Sequence, residues 1–186
     1  MGLYNWQYMN YYAIQVRTRL EEKYIKLFKS RNPDISLPIH FPRRYLDIRK
    51  NGKVKPSTPA VFPGYLFIEA ERDEEIFACQ WNFRRTEGFM RFLKSNQEIT
   101  ALDSKDLEIV LHFINNKGSI AGRSKVYFDE NSRIIVAEGP LSGLEGKIIK
   151  VDRRKRRAKI KLDLYNDSFT VDLAFEVIES LKNDRK

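Results

Sequence analysis

The sequence contains one run of side chains suited to binding phosphate groups, Arg153-Arg154-Lys155-Arg156-Arg157. Four lysines flank this run: Lys147, Lys150, Lys159 and Lys161. Strand alternation places Lys159 and Lys161 on one outer face, and only Asp152 and Asp163 bring negative charge to the same stretch. Such a concentration of positive charge attracts nucleic-acid phosphates with an affinity that depends on salt. A solvated hairpin tip without a ligand is the alternative interpretation.

A second group of residues is aromatic and precedes the basic run. It comprises Tyr11, Tyr12, Phe62, Tyr65, Phe67, Phe77, Trp81, Phe83, Phe89 and Phe92. Most of these side chains are needed to fill a core. Around the rigid Pro63-Gly64 pair, however, Phe62 and Tyr65 are expected to point in different directions at the entrance of a strand. Exposed aromatic side chains there would form an anchor pocket for a partner protein.

Residue types that support catalysis or metal binding are sparse. The glycine-containing stretch 139–147 lacks both the spacing and the hydroxyl of a phosphate-binding loop. His40 and His112 have no nucleophile nearby in the sequence, and Cys79 is expected to be a buried thiol in a short helix. One cysteine and two histidines are too few for a zinc site. We therefore expect no enzymatic activity, no metal and no cofactor.

The composition favours a nucleic-acid partner. The chain has 186 residues, of which 34 are Lys or Arg and 25 are Asp or Glu, which gives a net charge of +9. A merely soluble basic protein is the alternative. With 42% apolar and 32% charged residues, the chain is neither disordered nor membrane-spanning. Residues 1–9 have no basic segment followed by an apolar one, so a signal peptide is not expected and the predicted location is the cytoplasm.

The first part of the chain alternates between strand and helix patterns. An alternating strand is predicted over 11–18 and an amphipathic helix from Arg19 to the Asn32-Pro33 pair. An irregular strand follows over 38–50, and the Asn51-Gly52 turn is expected to lead to a returning strand over 61–69. The remaining predictions are a short helix over 73–81, a strand over 88–93, and a helix over 103–116 with Asp103 as its N-cap.

The last part of the chain has strand patterns alone. Residues 117–133 are polar and are interpreted as a linker with a short extended piece at 126–128. Short alternating runs follow over 134–136, 148–151, 158–164 and 169–178, at a spacing typical of a small β-barrel. We therefore predict an α+β protein with an N-terminal domain over 1–116, a linker over 117–133 and a β-barrel domain over 134–182.

Two segments resemble motifs of the NusG family of transcription elongation factors. VFPGYLFIEA, residues 61–70, resembles a strand motif of that family, and residues 138–162 resemble its KOW motif. The resemblance covers residues 11–179. It implies an NGN-type antiparallel sheet flanked by helices, joined to a KOW-type barrel. It also implies docking on the clamp helices of bacterial RNA polymerase through an apolar pocket that would comprise Tyr11, Tyr12, Phe62, Tyr65 and Phe77.

Within the family, the chain is similar to specialised antiterminators of the LoaP and RfaH type. TEGFMRFLK, residues 86–94, and the arginine-rich stretch 152–162 carry the likeness to LoaP, and the strand over 12–17 together with Arg84 carries the likeness to RfaH. It implies contact with exposed non-template DNA through Arg17, Arg84 and Arg85, and binding of a nascent RNA hairpin through the basic residues 147–161. The implied function is suppression of pausing and termination by a monomeric protein.

Two alternatives remain at this point. A general elongation factor would couple polymerase to the ribosome or to Rho, although this sequence reads Gly139-Pro140-Leu141 and Leu164-Tyr165-Asn166 at the positions the resemblance assigns to those contacts. The other alternative is a ribosome-associated RNA-binding protein that uses its KOW barrel and has no contact with polymerase.

Overall fold

A computed structural model describes residues 9–93, 98–165 and 167–179, with the side chains of Lys50 and Lys117 left out. The chain divides into two compact units. The first comprises the described residues up to Pro42 together with Phe62–Leu111, and the second comprises Arg43–Val61 together with the described residues from His112 onward. Among the described residues, no helix is both long and apolar enough to cross a membrane.

The helices and strands follow in this chain order: β1 (Asn10–Val16), α1 (Glu21–Arg31), β2 (Ile39–His40), β3 (Arg43–Arg44), β4 (Leu46–Lys50), β5 (Lys53–Ser57), β6 (Tyr65–Ala70), α2 (Asp73–Arg85), β7 (Phe89–Phe92), α3 (Ser104–Ile114), β8 (Ile120–Ala121), β9 (Ser124–Phe128), β10 (Ile134–Glu138), β11 (Ile148–Asp152), β12 (Arg157–Leu164) and β13 (Asp167–Val177).

The first unit contains a four-stranded antiparallel sheet in the order β2-β6-β1-β7. Alternate residues of β1 point to opposite faces, because successive side chains of a strand alternate. Tyr12, Ile14 and Val16 join the core cluster that also contains Tyr24 and Phe28 of α1. Residues Ile76, Cys79 and Phe83 of α2 complete this packing. One face of the sheet is therefore covered by α1 and α2.

The ends of the helices follow from local sequence. Glu21 and Glu22 begin α1, and Lys29 and Arg31 end it, which suits the helix dipole. The first turn of α3 is capped by Asp103, whose Oδ1 accepts the Asp106 N–H at 3.0 Å. The predicted helices over 19–32 and 103–116 and the Asp103 cap are confirmed.

The second unit contains a curled five-stranded sheet in the order β10-β9-β13-β12-β11. Neighbouring strands are antiparallel except β13 and β9, which pair in parallel. Along β12 the buried side chains are Ala158, Ile160, Leu162 and Leu164, and the basic side chains between them face outward. The α+β class and the KOW-type sheet predicted from the sequence are confirmed.

The ribbon formed by β4 and β5 belongs to this second unit. Its turn is Asn51-Gly52, and both residues have positive φ, 52° and 75°, as a tight two-residue hairpin requires. Asp47 anchors the ribbon: its Oδ2 accepts Arg123 Nη2 at 2.5 Å, its Oδ1 accepts the Tyr45 hydroxyl at 2.7 Å, and its carbonyl accepts Arg157 Nη2. The hydrogen bond from Tyr45, followed by that from Arg123, lowers the pKa of Asp47.

Three features differ from the sequence prediction. The strand that returns after Asn51-Gly52 is β5 at Lys53–Ser57, and not 61–69, because β6 pairs with β1 in the other sheet. Pro56 is tolerated in β5 because a two-stranded ribbon leaves one edge of each strand unpaired. Helix α2 runs to Arg85, four residues beyond the predicted end at Trp81.

The third difference concerns the segment interpreted as a linker. Within 117–133 the structure has β8, which pairs with β3, and β9, which is an inner strand of the five-stranded sheet. The sequence shows the short apolar pattern of β9 at 126–128. Its parallel partner lies 51 residues later in the chain, with Val177 opposite Val126, and a partner so distant leaves no local signal. The predicted start at residue 1 and end at residue 182, together with Lys94 and Asn166 of the quoted motifs, lie outside the described residues.

Candidate nucleic-acid and protein interfaces

The basic loop, residues 153–157, comprises the connection between β11 and β12 and the first residue of β12, Arg157. Asp152 orders the start of this loop, because Asp152 Oδ1 accepts a hydrogen bond from the Lys155 N–H at 2.9 Å. This hydrogen bond is the main reason that the pKa of Asp152 lies below its usual value. The Arg156 N–H donates to the Arg153 carbonyl at 3.3 Å, and Arg156 adopts φ 51°. The loop is therefore a defined turn that presents its side chains from a fixed backbone.

Two arginines of the basic loop are engaged within the second unit. Arg153 donates to the Ser132 carbonyl at 2.7 Å, and its guanidinium carbon lies 3.9 Å from the centre of the Phe128 ring. Arg157 donates to the carbonyl of Asp47. Both side chains hold parts of the unit together. The sequence alone does not reveal which of the five basic residues have such internal contacts.

Asp172 of β13 is an acidic residue near the basic loop and its flanking lysines, and no local pattern in the sequence indicates this proximity. The strand register puts it opposite Lys159, and Lys159 Nζ lies 3.2 Å from Asp172 Oδ1. Arg157 Nη1 lies 4.0 Å from Asp172 Oδ2. A small cavity of about 220 Å³ is lined by these residues together with Lys150, Asp152 and Lys155. Part of the predicted positive charge is therefore balanced internally.

The remaining predicted lysines lie apart from these cavities. Lys161 is exposed on the outward face of β12, as predicted, and Lys147 is half-buried in a short turn before β11. Neither residue lines either of the two cavities described in this section.

The larger of the two cavities described here, which we call the ribbon cavity, has a volume of about 610 Å³. It lies among the β4–β5 ribbon, the basic loop and β13, and its charged lining residues are Asp47, Arg49, Arg123, Arg154, Lys155, Arg156, Arg157 and Glu176. These are six cations and two acids, so the cavity carries a surplus of positive charge. Sequence reasoning missed Arg49 and Arg123, because their approach to the basic loop depends on the ribbon joining this unit.

The aromatic residues assigned to one pocket lie on both faces of the first sheet. Tyr12 belongs to the core beneath α1 and α2 and donates its hydroxyl hydrogen bond to Asp73. Its neighbour Tyr11 points to the opposite face, where the centre of its ring lies 6.1 Å from that of His40. Burial raises the pKa of both tyrosines.

Tyr11, Phe62 and Tyr65 belong to the same side of the sheet. The register pairs Tyr11 with Glu69 and Gln15 with Tyr65, and Phe62 packs edge-on against Phe67 at 5.8 Å. The structure differs from the expected exposure of Phe62 and Tyr65: these two side chains, like Tyr11, are at most 2% exposed. The Pro63-Gly64 turn folds them inward, since Tyr65 N–H bonds to the Phe62 carbonyl at 3.1 Å.

The exposed aromatic residues of the first unit lie on α2 instead. Phe77 is 43% exposed and Trp81 is 61% exposed. They are four residues apart, so they share one face of the helix, while Ile76, Cys79 and Phe83 face the core. Sequence reasoning placed Trp81 in the aromatic cluster but not at an interface. The signal that could have found it is the i, i+4 spacing of Phe77 and Trp81 outside the apolar stripe.

Arg17, Arg84 and Arg85, which were assigned to DNA contact, lie near the ends of β1 and α2. The Arg17 N–H donates to the Gly88 carbonyl at 2.9 Å, three residues after Arg85 ends α2. Arg17 and Arg85 are exposed. Arg84 is partly buried, with its guanidinium carbon 5.4 Å from the centre of the Trp81 ring. Arg84 therefore supports the exposed face of Trp81.

The isolated histidines and the cysteine have structural contacts. His40 Nε2 lies 2.7 Å from Glu69 Oε2, and His112 Nε2 lies 2.7 Å from the Pro140 carbonyl. Cys79 is buried as predicted, and burial raises its pKa to about 11, so its thiolate form is disfavoured at neutral pH. Within the described ranges, no group of three or more His, Cys, Asp or Glu side chains is arranged to hold a metal ion.

The fold defines an α+β protein whose second unit is a basic KOW-type sheet. A family model described as "Transcription termination factor nusG" matches residues 9–111, which is more than half of the chain. The chain therefore belongs to the NusG family.

Curated relatives agree with this assignment, and a solved structure is similar in fold. A "Transcription termination/antitermination protein NusG" of Helicobacter pylori is 22% identical over 179 residues, covering 93% of this chain and 99% of the relative. The protein of the same name from Bacillus subtilis is 26% identical over 132 residues, covering 71% and 73%. The structure described as "Domain interaction in Thermotoga maritima NusG" has a TM-score of 0.53 at 17% identity, covering 89% and 93%, and supports the fold.

Proposed function

We propose that this NusG-family protein is a specialised antiterminator of the LoaP and RfaH type. In this proposal it acts in the cytoplasm as a monomer, binds elongating RNA polymerase at the clamp through the first unit, and binds a nascent RNA hairpin through the second. It performs no covalent chemistry, because preferential binding to the elongating state is sufficient to disfavour pausing and termination. The observation that carries the proposal is the surplus of arginine side chains around the basic loop.

The polymerase contact is best supported at the exposed face of α2. Phe77 and Trp81 can be covered by a partner without unfolding the unit, whereas Tyr11, Phe62 and Tyr65 are already buried. Aromatic side chains of this kind contribute much of the binding energy in protein interfaces. In the proposal, Phe77 and Trp81 contact the clamp helices, and Tyr11, Tyr12, Phe62 and Tyr65 hold the sheet that positions α2.

The nucleic-acid contacts divide between the units. Arg17 and Arg85 provide exposed charge for non-template DNA at one edge of the first unit. The basic loop, with Lys147, Lys150, Lys159 and Lys161 as additional charge, provides the RNA-binding surface. Electrostatic attraction to phosphate makes both contacts sensitive to salt.

The burial of two leucines favours this proposal over a general factor that recruits the ribosome or Rho. Leu141 and Leu164, at the positions assigned to those contacts, are fully buried, and Tyr165 is partly buried. Their side chains belong to the interior of the curled sheet, so they offer little apolar surface to a second protein.

Single-round transcription through an intrinsic terminator tests the proposal. We expect added protein to increase readthrough on a template that encodes a leader hairpin, and to have a much smaller effect without it. The Phe77→Ala/Trp81→Ala variant should lose at least about tenfold in affinity for elongation complexes, since interfacial aromatic anchors are often worth 2 kcal/mol or more each. Readthrough should fall accordingly.

The matched control is Ile149→Ala/Val177→Ala, which removes two exposed apolar side chains from the second unit. It should bind elongation complexes like the parent protein. Equal readthrough on both templates would instead support a general elongation factor. Binding to ribosomal subunits without binding to polymerase would support a ribosome-associated RNA-binding protein.

A further inference from the structure

The ribbon cavity has walls of two chemical kinds. On the ribbon side, Arg49 and Val54 are directly opposite in the strand register, so their side chains lie on the same face. Val54 is 56% exposed, and its neighbour in the cavity lining, Ile48, is 40% exposed. The opposite wall is the basic loop. The cavity therefore has an apolar surface on the ribbon side and cations on both of its walls.

Of the six cations that line this cavity, Lys155 lies 3.9 Å from Asp152 Oδ2, and the other five fall into two groups. Arg123 donates to the Asp47 carboxylate, and Arg157 donates to the Asp47 carbonyl and lies 4.0 Å from Asp172 Oδ2. Both therefore anchor the ribbon and are partly neutralised. Arg49, Arg154 and Arg156 line the same cavity and are exposed. Within the described part of the chain, none of these three guanidinium groups has a hydrogen bond or a salt bridge to another side chain. They are available to an anionic ligand.

The size of the cavity limits what can enter. A volume of about 610 Å³ is in the range of sites for small molecules. One nucleotide fits such a space, whereas a base-paired duplex does not. Guanidinium groups bind phosphate through paired hydrogen bonds and also stack on planar bases, and apolar side chains cover the faces of bases that have left a helix.

We propose that the ribbon cavity binds one unpaired nucleotide of RNA, from the loop or a bulge of a hairpin. The phosphates on either side of it are bound by Arg49, Arg154 and Arg156, and its base lies against Val54. This inference rests on the proposed RNA-binding function of the second unit and names the nucleotide that the unit recognises. The β4–β5 ribbon is thereby part of the RNA site.

The test uses the full chain and a short RNA hairpin with a fluorescent purine analogue in its loop. The Arg49→Gln/Arg154→Gln/Arg156→Gln variant should bind this RNA at least about tenfold more weakly than the parent, because it removes three charge-assisted phosphate contacts. The control variant Lys26→Gln/Lys29→Gln/Arg31→Gln changes the same number of exposed cations on α1 and should change affinity less than twofold.

A second readout separates insertion of the base from attraction to phosphate. We expect the fluorescence of the loop purine to change on binding, and we expect Val54→Ala to reduce that change more than it reduces affinity. A blunt RNA duplex with the same stem should bind more weakly than the hairpin. Thermal unfolding of each variant checks that the fold is retained.

The outcomes distinguish this inference from the function on which it rests. If the parent binds the hairpin but the cavity variant and its α1 control bind equally well, the ribbon cavity is not the site, and RNA binding itself stands. If the duplex binds as tightly as the hairpin, an unpaired nucleotide is not recognised. If the parent binds no RNA, both proposals are wrong.

Discussion

Arg156 has a backbone conformation that does not suit an arginine side chain. Its φ of 51° lies in the left-handed region, which favours glycine because other residues bring Cβ close to the backbone. The neighbouring turn requires this conformation, since the Arg156 N–H bonds back to the Arg153 carbonyl. Such strain is characteristic of positions where a side chain has a functional role. Here Arg156 lines the ribbon cavity.

Replacing Arg156 by glycine should separate folding from binding. Arg156→Gly removes the strain, so we expect the melting temperature to stay the same or rise, while affinity for the RNA hairpin falls about three- to tenfold with the loss of one phosphate contact. Differential scanning calorimetry and fluorescence titration measure the two effects. Arg156→Gln serves as the comparison, because it loses the charge and keeps the strain. Unchanged RNA affinity in both variants would exclude a binding role for Arg156.

At the scale of elements, the turn after β10 depends on Gly139. This residue has φ 102°, and a Cβ at this position would lie 2.7 Å from the Ser124 Cα of β9. The same contact region contains the hydrogen bond from the Leu141 N–H to Ser124 Oγ, at 2.9 Å. Leu141 is fully buried, so the turn ties the edge of the curled sheet to its core.

Gly139→Ala should therefore destabilise the second unit more than Gly143→Ala does. Gly143 also has positive φ, 79°, but nothing lies within 4 Å of a Cβ added there. We expect a cost of about 1 kcal/mol for Gly143→Ala from the backbone alone, and about 1–3 kcal/mol more for Gly139→Ala from overlap with β9. Chemical denaturation with a probe in the second unit measures the difference. Equal destabilisation would mean that β9 shifts to make room.

Local patterns predicted most elements, and the two errors in strand pairing have one cause. Helices α1 and α3, strand β1 and the outward basic face of β12 follow from periodicity and caps, which are properties of neighbouring residues. The partner of β4 and the place of β9 depend on which unit each segment joins. That choice is made by contacts between residues distant in the chain, and no local pattern records it.

The candidate sites show the same limit. The basic loop was visible as a run of charge, but its division into engaged and available arginines depends on Asp47, Phe128 and Ser132, which come from three other segments. The aromatic cluster was visible too. The Pro63-Gly64 turn suggested that the exposed members of this cluster are Phe62 and Tyr65. In the structure the exposed members are Phe77 and Trp81.

At the scale of the whole molecule, the net charge of +9 and the local charge of the ribbon cavity predict different salt dependences of RNA affinity. If only the three available arginines contact phosphate, the slope of log affinity against log salt for single-stranded loop RNA should be about −2. Titrations at several salt concentrations measure it, and the Arg49→Gln/Arg154→Gln/Arg156→Gln variant should give a slope near zero. A slope of about −5 or steeper that the variant leaves unchanged would mean that the wider basic surface binds RNA.

The position of β13 has a consequence for synthesis. This strand, Asp167–Val177, is the last strand in the described chain, yet it lies at the centre of the five-stranded sheet, between β9 and β12. The β9–β10 and β11–β12 hairpins can form early, but they share no sheet until β13 joins them, and residues 174–176 also line the ribbon cavity. The ribbon cavity is thus among the last parts to be completed as the chain leaves the ribosome, so a chain that stops before residue 167 carries the basic loop without the cavity.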